Sequence, residues 1–504
     1  MIDSLKKRYF FKLATNFISF AISLATQAII PRALGPRAYG DFTFLTNFFN
    51  EVVSFLDMGT SIGFYTKLSR KPQEVDLVRF YLYFSVIISL GVLFFILVTQ
   101  MASAYSWLWP GQQLFFIYLA AGWGIMTWFI QVLIKMGDAY GLTVSLEMAR
   151  MAQKGVGLGL ITLLFFMNAL YLSTLFLYHY LVMAFLIIVI IRILETRGYS
   201  LRQGWKLPRV QISRYIEEFY DYSHPLFAYA LVGLIVAIFD RWLLQYFCGS
   251  VEQGFYGLSY QVGALCFLFT SAMSPLLTRE FAITYGKGDI TEMAQLFRRY
   301  IPLLYSIAAY FSCFIAVQAS KVIYLMGGKK FSGAFYAMIF MAFYPLHQTY
   351  GQLSGSVFYA TGQTALYRNI GITMMLLGLP LTYVLIAPPD RGGLNTGATG
   401  LAFKMVLVQF FGVNIQLYFN ARLLGLRFWR YVAHQFLSVG CLLSLAVLAK
   451  EIVDQLPALQ DKIVLTFFLA GFLYTLLAAA ATLSFPHLFG LSRQDLQSLL
   501  QLAK

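Results

Sequence analysis

Fourteen apolar runs of about 20 residues, separated by short polar turns, account for most of this 504-residue chain. A run of that length crosses the hydrocarbon of a bilayer as an α-helix, rising about 1.5 Å per residue over about 30 Å. Lipid offers the backbone no hydrogen-bonding partner, so each run must satisfy its own amides, as a helix does. The chain is therefore predicted to be an all-α polytopic membrane protein with about fourteen transmembrane helices. Composition agrees, since 12% of the residues are charged against about 25% in soluble domains. Lys6, Lys7 and Arg8 precede the first run as in a signal peptide. That run is about 18 residues long and lacks a small-x-small cleavage site, so it reads as a spanning helix.

Orientation follows from the loops. Of the 37 Lys and Arg, 25 fall on the side that holds both termini and nine on the other, with Arg150, Lys154 and Lys404 inside spans. Basic residues are retained on the cytoplasmic side, which places both termini in the cytoplasm and the chain in a bacterial cytoplasmic (inner) membrane. This bias also accounts for the net charge of +15, so nucleic acid is not an expected partner. The outward loops are short and leave no room for an extramembrane catalytic domain.

A repeat divides the chain. The sequence GPRAYG at 35–40, followed by DFTF, matches GSVEQG at 249–254, followed by FYGL, 214 positions later. In each, two glycines five apart make a tight outward turn, and an aromatic-rich span descends from it. The expected domains are a six-helix lobe (1–191), a basic cytoplasmic linker (192–221), a second six-helix lobe (222–419), and an accessory helix pair with an amphipathic tail (420–504). Two like lobes around a midline cavity form a transporter plan, expected to work as a monomer.

The fifth span, over 143–163, carries the most informative polar residues. At 100° per residue, Thr143, Glu147, Arg150 and Lys154 share one stripe. Each charge costs about 2.5–3.5 kcal/mol at a bilayer centre, so the stripe must face a partner helix or a water-filled cavity. An internally paired cluster that only ties helices together is the plain reading. Two cations against one anion leave a positive surplus, which points to an anionic guest. The first span adds Lys12, Asn16, Ser19, Ser23 and Gln27, and the second adds Asn47, Asn50, Ser54, Asp57 and Ser61 with Glu51 at its margin.

In the second lobe, Asp240 and Arg241 stand near the outer end of the seventh span and suit a gating or structural charge. Lys404 lies within the twelfth span, and Gln348 and Gln352 share a face of the tenth with Tyr344, Gly355 and Tyr359. The candidate substrate-binding set is Arg150, Lys154, Lys404, Asn47, Asn50, Gln348 and Gln352, with Asp57 and Glu147 as candidates for ion coupling. The five histidines and four cysteines show no metal-ligand spacing. No catalytic triad or phosphate-cradling loop is present, so neither a cofactor nor an enzyme activity is expected.

Asn16, Leu34-Gly35 with Tyr39-Gly40, Asp57-Met58-Gly59, and Asp240-Arg241 ahead of Gly254-Phe255-Tyr256 resemble the polysaccharide-flippase family. That family is the oligosaccharide-lipid branch of the multidrug, oligosaccharidyl-lipid and polysaccharide exporter superfamily. The resemblance spans the whole chain. It implies two six-helix lobes plus a helix pair, moving a polyprenyl-diphosphate-linked oligosaccharide to the outer leaflet by alternating access, often coupled to an ion gradient. Membrane lipid and a polysaccharide polymerase or ligase are the further partners it implies. This sequence departs from the family in a weakly charged second lobe, where Lys404 is the main mid-span cation. Alternatives are a multidrug or organic-cation antiporter of the same superfamily, a lipid II flippase, and a membrane-embedded glycosyl transferase.

Overall fold

Gly35 breaks the first helix. In the computed structural model, α1 (Leu5–Asp57) has helical backbone on both sides of Gly35, which itself adopts φ 74°, ψ 172°. Only glycine takes that conformation without strain, and Pro36 behind it has no amide to continue the ladder. The same event recurs in α9 (Phe227–Ala264), where Gly249 adopts φ 77°, ψ −174°. The two halves of the sequence repeat thus fold into matching elbows. One glycine of each pair turns the chain, and the other, Gly40 or Gly254, lies inside the helix that follows.

The structure describes residues 5–199, 207–224, 227–264, 268–457 and 462–491. Among them there is no strand. The remaining helices are α2 (Thr60–Arg70), α3 (Val75–Met101), the short α4 (Tyr105–Leu108), α5 (Leu114–Ala139), α6 (Thr143–Phe166), α7 (Leu172–Thr196), α8 (Arg209–Ser223) and α10 (Leu268–Gly286). They are followed by α11 (Ile290–Val317), α12 (Ala319–Gly327), α13 (Phe335–Ala360), α14 (Thr364–Ile386), α15 (Gly397–Leu423), α16 (Phe428–Asp454) and α17 (Ile463–Ser484). Among the described residues the predicted spans fall mainly on helix, with α1 and α9 each contributing to two across their elbows; the second span runs over the break into α2, and the eighth continues on α10. Nine of the described helices are long and apolar enough to cross a membrane by length and composition.

The chain forms two compact units, Met1–Gly254 and Phe255–Lys504. In the first, α1 packs on α5 and α6, and α7 closes against both of those. Its apolar core holds the large rings of Phe44, Phe49, Trp109 and Phe176. In the second, α13 is central, flanked by α10, α11 and α15, with α14 on α15. The pair α16 and α17 packs through α11, where Tyr474 donates a hydrogen bond to the Tyr310 carbonyl oxygen (3.0 Å).

The stretch 192–221 holds more than a linker. Its helix α8 buries Tyr215 and Phe219 against α2 and α3. Glu74 accepts from the Tyr215 hydroxyl (2.7 Å) and from Arg214 Nη2 (3.1 Å), and Lys67 pairs with Glu218. Burial, then the Glu74 carboxylate, pushes the Tyr215 phenol above its ordinary range. Val210, Ile216 and Tyr220 of the same helix stay exposed. The leucine-rich tail beyond Leu491, expected as an amphipathic helix, lies outside the described residues.

Candidate functional site

Helix α6 begins behind Gly141, whose φ of 77° turns the chain sharply out of α5. Its apolar face packs on α1, α5 and α7, which leaves the charged stripe to settle against polar neighbours. Glu147 is buried, and Arg150 Nη1 donates to Glu147 Oε1 at 3.0 Å, one turn along the helix. Lys154 Nζ donates to Ser23 Oγ on α1 at 3.0 Å. The Arg150 side chain keeps 38% of its surface exposed despite its ion pair.

One turn along α1 from Ser23, Gln27 Oε1 is buried with no hydrogen-bond partner among the described residues. A buried acceptor without a donor costs about 1–3 kcal/mol, and a ligand hydroxyl removes that cost. The first and fifth spans meet at Ser23 and Lys154. Lys12, Asn16 and Ser19 lie outside the residues whose side chains are described.

The second-span stripe does not act as one surface. Asn47 and Asn50 form no side-chain hydrogen bond with a described residue, and Asn50 is exposed. Asp57 is enclosed instead. Its carboxylate accepts from Trp128 Nε1 (3.1 Å), the Tyr81 hydroxyl (3.1 Å), the Thr60 hydroxyl (3.2 Å), the Ser61 amide (3.2 Å) and the Ser61 hydroxyl (2.8 Å). Lys135 donates to Ser61 Oγ beside it. These donors come from α2, α3 and α5, and they hold the break at Met58 (φ 41°) and Gly59 (φ 77°) where α1 passes into α2. None of them belongs to the α6 stripe.

A second polar network joins the two elbows. Asp41, directly after Gly40, accepts from Gln112 Nε2 (2.6 Å) and from the Ser250 hydroxyl, and Gln245 Nε2 donates to Ser250 Oγ (3.0 Å). Asp240 and Arg241 are buried close by, and Arg241 Nη1 donates to Gln253 Oε1 (3.1 Å) while Gln253 returns a bond to the Arg241 carbonyl. Arg241 also acts electrostatically on Glu51 and Tyr39. Sequence reasoning weighed Asp240 and Arg241 but missed Asp41, Gln112 and Ser250. The available signal was the place of Asp41 and Ser250 beside glycines of the repeat.

In the second unit, Lys404 is buried to 3% exposure, with its chain laid over Gly378 of α14. A Cβ at Gly378 would fall 2.9 Å from Lys404 Cε, so the glycine makes the room that the lysine fills. Gln348 Oε1 accepts from Gln409 Nε2 (2.6 Å), joining α13 to α15. Gln352 makes no side-chain hydrogen bond with a described residue. Gly351 and Gly355 serve different neighbours, Val413 on α15 and Tyr367 on α14. No group of three His, Cys, Asp or Glu that would hold a metal occurs among the described residues.

The long apolar helices define an all-α, multi-pass membrane fold. The chain superposes on a multidrug resistance MATE family transporter of the MOP superfamily in an inward-facing conformation, with a TM-score of 0.65 over 82% of this chain and 98% of that one at 13% identity. It superposes on the lipid II flippase MurJ in an inward closed conformation, with a TM-score of 0.67 over 94% and 99% at 11% identity. A MOP superfamily transporter from Pyrococcus furiosus, described as having a binding pocket of reversed polarity, matches with a TM-score of 0.55 over 84% and 97% at 15% identity. These likenesses are of fold. No family model matches the sequence. No curated protein matches it either.

Proposed function

We propose that the protein is a flippase that carries a polyprenyl-diphosphate-linked oligosaccharide across the bacterial cytoplasmic membrane by alternating access, driven by an ion gradient. The observation that carries this reading is the α6 stripe. Two cations and one carboxylate stand on one face of α6, with a partly exposed guanidinium and an unpartnered buried amide oxygen one turn from the Lys154 contact. A diphosphate crossing the bilayer must exchange water for charge-assisted hydrogen bonds, and Arg150 and Lys154 are donors of that kind. Gln27, Asn47 and Asn50 offer amides to sugar hydroxyls, and the prenyl chain stays in lipid. Lys404, Gln348 and Gln352 are the corresponding polar groups of the second unit.

Glu147 is the preferred coupling acid, since it is the carboxylate in direct contact with the cationic stripe. Asp57 is its alternative. Both termini are cytoplasmic in this reading, and a polysaccharide polymerase or ligase consumes the delivered glycan. Lipid II is a second cargo of the same chemistry, favoured by the likeness to MurJ over 94% of this chain. An organic-cation antiporter calls for a net anionic cavity, which the α6 stripe does not provide.

Liposomes holding the purified protein and a polyprenyl-diphosphate oligosaccharide test the reading. Wild type should expose the glycan to an external probe, and the Arg150→Gln, Lys154→Gln double variant should not. Failure of wild type to move the lipid, with binding of organic cations instead, would replace the flippase by the antiporter.

A further inference from the structure

Helix α1 passes into α2 at Met58 and Gly59, which take φ 41° and 77°. Glycine accepts the left-handed region freely, whereas Met58 is strained there. A strained junction between two helices persists only when its surroundings hold it, and it becomes a hinge when they let go. Part of the hold is local. The Asp57 carboxylate accepts from the Ser61 amide (3.2 Å) and hydroxyl (2.8 Å), which ties the start of α2 to the end of α1. The rest comes from much farther along the chain.

Helix α8 sits on the same short α2. Phe219 and Tyr222 lie over Gly63, where a Cβ would stand 3.4 Å from each ring. One turn on, Lys67 pairs with Glu218, and its ammonium lies 5.1 Å from the centre of the Phe219 ring. Phe219 packs in turn against Tyr81 of α3 (5.8 Å between centroids), and Tyr81 stacks on Phe64 of α2 (4.3 Å). The Tyr81 hydroxyl donates to Asp57 Oδ1 (3.1 Å) and stands 2.9 Å from the Thr60 hydroxyl. One tyrosine therefore connects α8 to the carboxylate at the junction.

The seat of α8 is weak where water reaches it. Among the described residues, the helix buries only Tyr215, Phe219 and Ser223. Its ion pairs, Lys67 with Glu218 and Arg214 with both Glu74 and Glu218, join side chains that keep from 24% to 52% of their surface exposed. Pairs so open to water contribute little each and weaken with salt. A helix of 15 residues is marginal alone in water, so α8 keeps its form only while docked. Docking and helix formation are then one cooperative step, as in a local unit that opens apart from the rest of a fold.

We propose that α8 is a latch on a hinge at Met58 and Gly59. Docked, it backs Tyr81 with Phe219, keeps the Tyr81 hydroxyl on Asp57 and holds α2 at its present angle. Released, it frees α2 to swing, with Met58 leaving the left-handed region. The latch stands whatever the protein transports, and whether or not Asp57 couples an ion.

Hydrogen exchange in the full-length purified protein, read by mass spectrometry, tests the latch. Residues 57–63 report the hinge, 209–223 report α8, and 172–196 of α7 report the rest of the unit. Phe219→Ala should accelerate exchange over both 209–223 and 57–63 at least about tenfold, as loss of a buried ring implies, and leave α7 unchanged. Ile216→Ala removes an exposed side chain of the same helix and should change none of the three. Faster exchange in α8 with wild-type protection over 57–63 would show a hinge that does not feel the latch and would overturn the proposal, as would equal acceleration by Ile216→Ala. Should Phe219→Ala fail to fold, or loosen α7 as well, wild type decides. Raising potassium chloride from about 0.05 M to about 0.5 M should quicken 57–63 and 209–223 together severalfold, with α7 steady. No change over 57–63, or an equal change in α7, would overturn it.

Discussion

Gly254 lies so close to Pro36 that a Cβ on it would fall 2.1 Å from the Pro36 carbonyl oxygen, and Gly40 stands in the same relation to Ser250, at 1.7 Å. The relation is reciprocal. Each elbow presents the carbonyl just after its turning glycine to the second glycine of the other elbow. Gly40→Ala or Gly254→Ala must therefore move backbone, and overpacking of this kind costs about 1–3 kcal/mol. Both variants should melt at lower temperature in detergent than wild type. An unchanged melting temperature in both would show that the contact is not tight in the membrane.

Arg150 and Lys154 are the residues whose loss should abolish transport while leaving the fold intact. Each single change to Gln should lower glycan translocation at least about tenfold, the effect of one charge-assisted bond. Protein level and melting temperature should stay near wild type in Lys154→Gln, whereas Arg150→Gln leaves the buried Glu147 carboxylate without its ion-pair partner and should also lower the melting temperature. Full transport by Arg150→Gln would remove it from the binding site.

Asp57 invites a test that separates two roles. Its five donors come from three helices, so Asp57→Ala should destabilise by several kcal/mol, each bond to a carboxylate being worth about 1.5–3. Asp57→Asn should fall between the two. A stable Asp57→Asn protein whose transport no longer responds to an imposed ion gradient would instead make Asp57 the coupling group.

Lys404 can be displaced without being removed. Gly378→Ala places a methyl 2.9 Å from Lys404 Cε, which forces the buried ammonium to a new position. If Lys404 takes part in cargo recognition, transport in Gly378→Ala should drop and Lys404→Met should match it. Transport at wild-type rate in both variants would confine Lys404 to packing.

Helix α8 should loosen when its hydroxyl anchor is lost. Tyr215→Phe keeps the ring and removes the 2.7 Å bond to Glu74, at a cost of about 1 kcal/mol. Amide exchange over 209–223 should accelerate, with exchange in α5 unaffected. Equal protection in both proteins would assign the docking to the aromatic contacts of Phe80 with Tyr215 and Phe219.

The spans were legible because hydrocarbon thickness dictates their length, and the elbows because glycine alone accepts their backbone angles. The α6 stripe was legible as a stripe, and its Glu147–Arg150 pair follows from helical spacing alone. What pairs across helices was not. Tyr81 and Trp128 reach Asp57 from α3 and α5, and nothing in the spacing around either residue announces it. The α8 helix was hidden in a stretch rich in charge, where Tyr215 and Phe219 show one buried face only once α2 and α3 are beside them. Asp41 was passed over because the glycines next to it explained the turn without it.

The α6 stripe also bears on how the protein is made. Three ionisable side chains within eight residues give α6 an insertion cost of up to about 2.5–3.5 kcal/mol apiece when it leaves the translocon alone. Glu147 and Arg150 travel together, but Lys154 meets Ser23 only if α1 is still waiting nearby. Biogenesis is then ordered: the first helix must be held at the lateral exit until the sixth emerges, and a chain lacking α1 should leave α6 largely uninserted in a glycosylation-mapping assay.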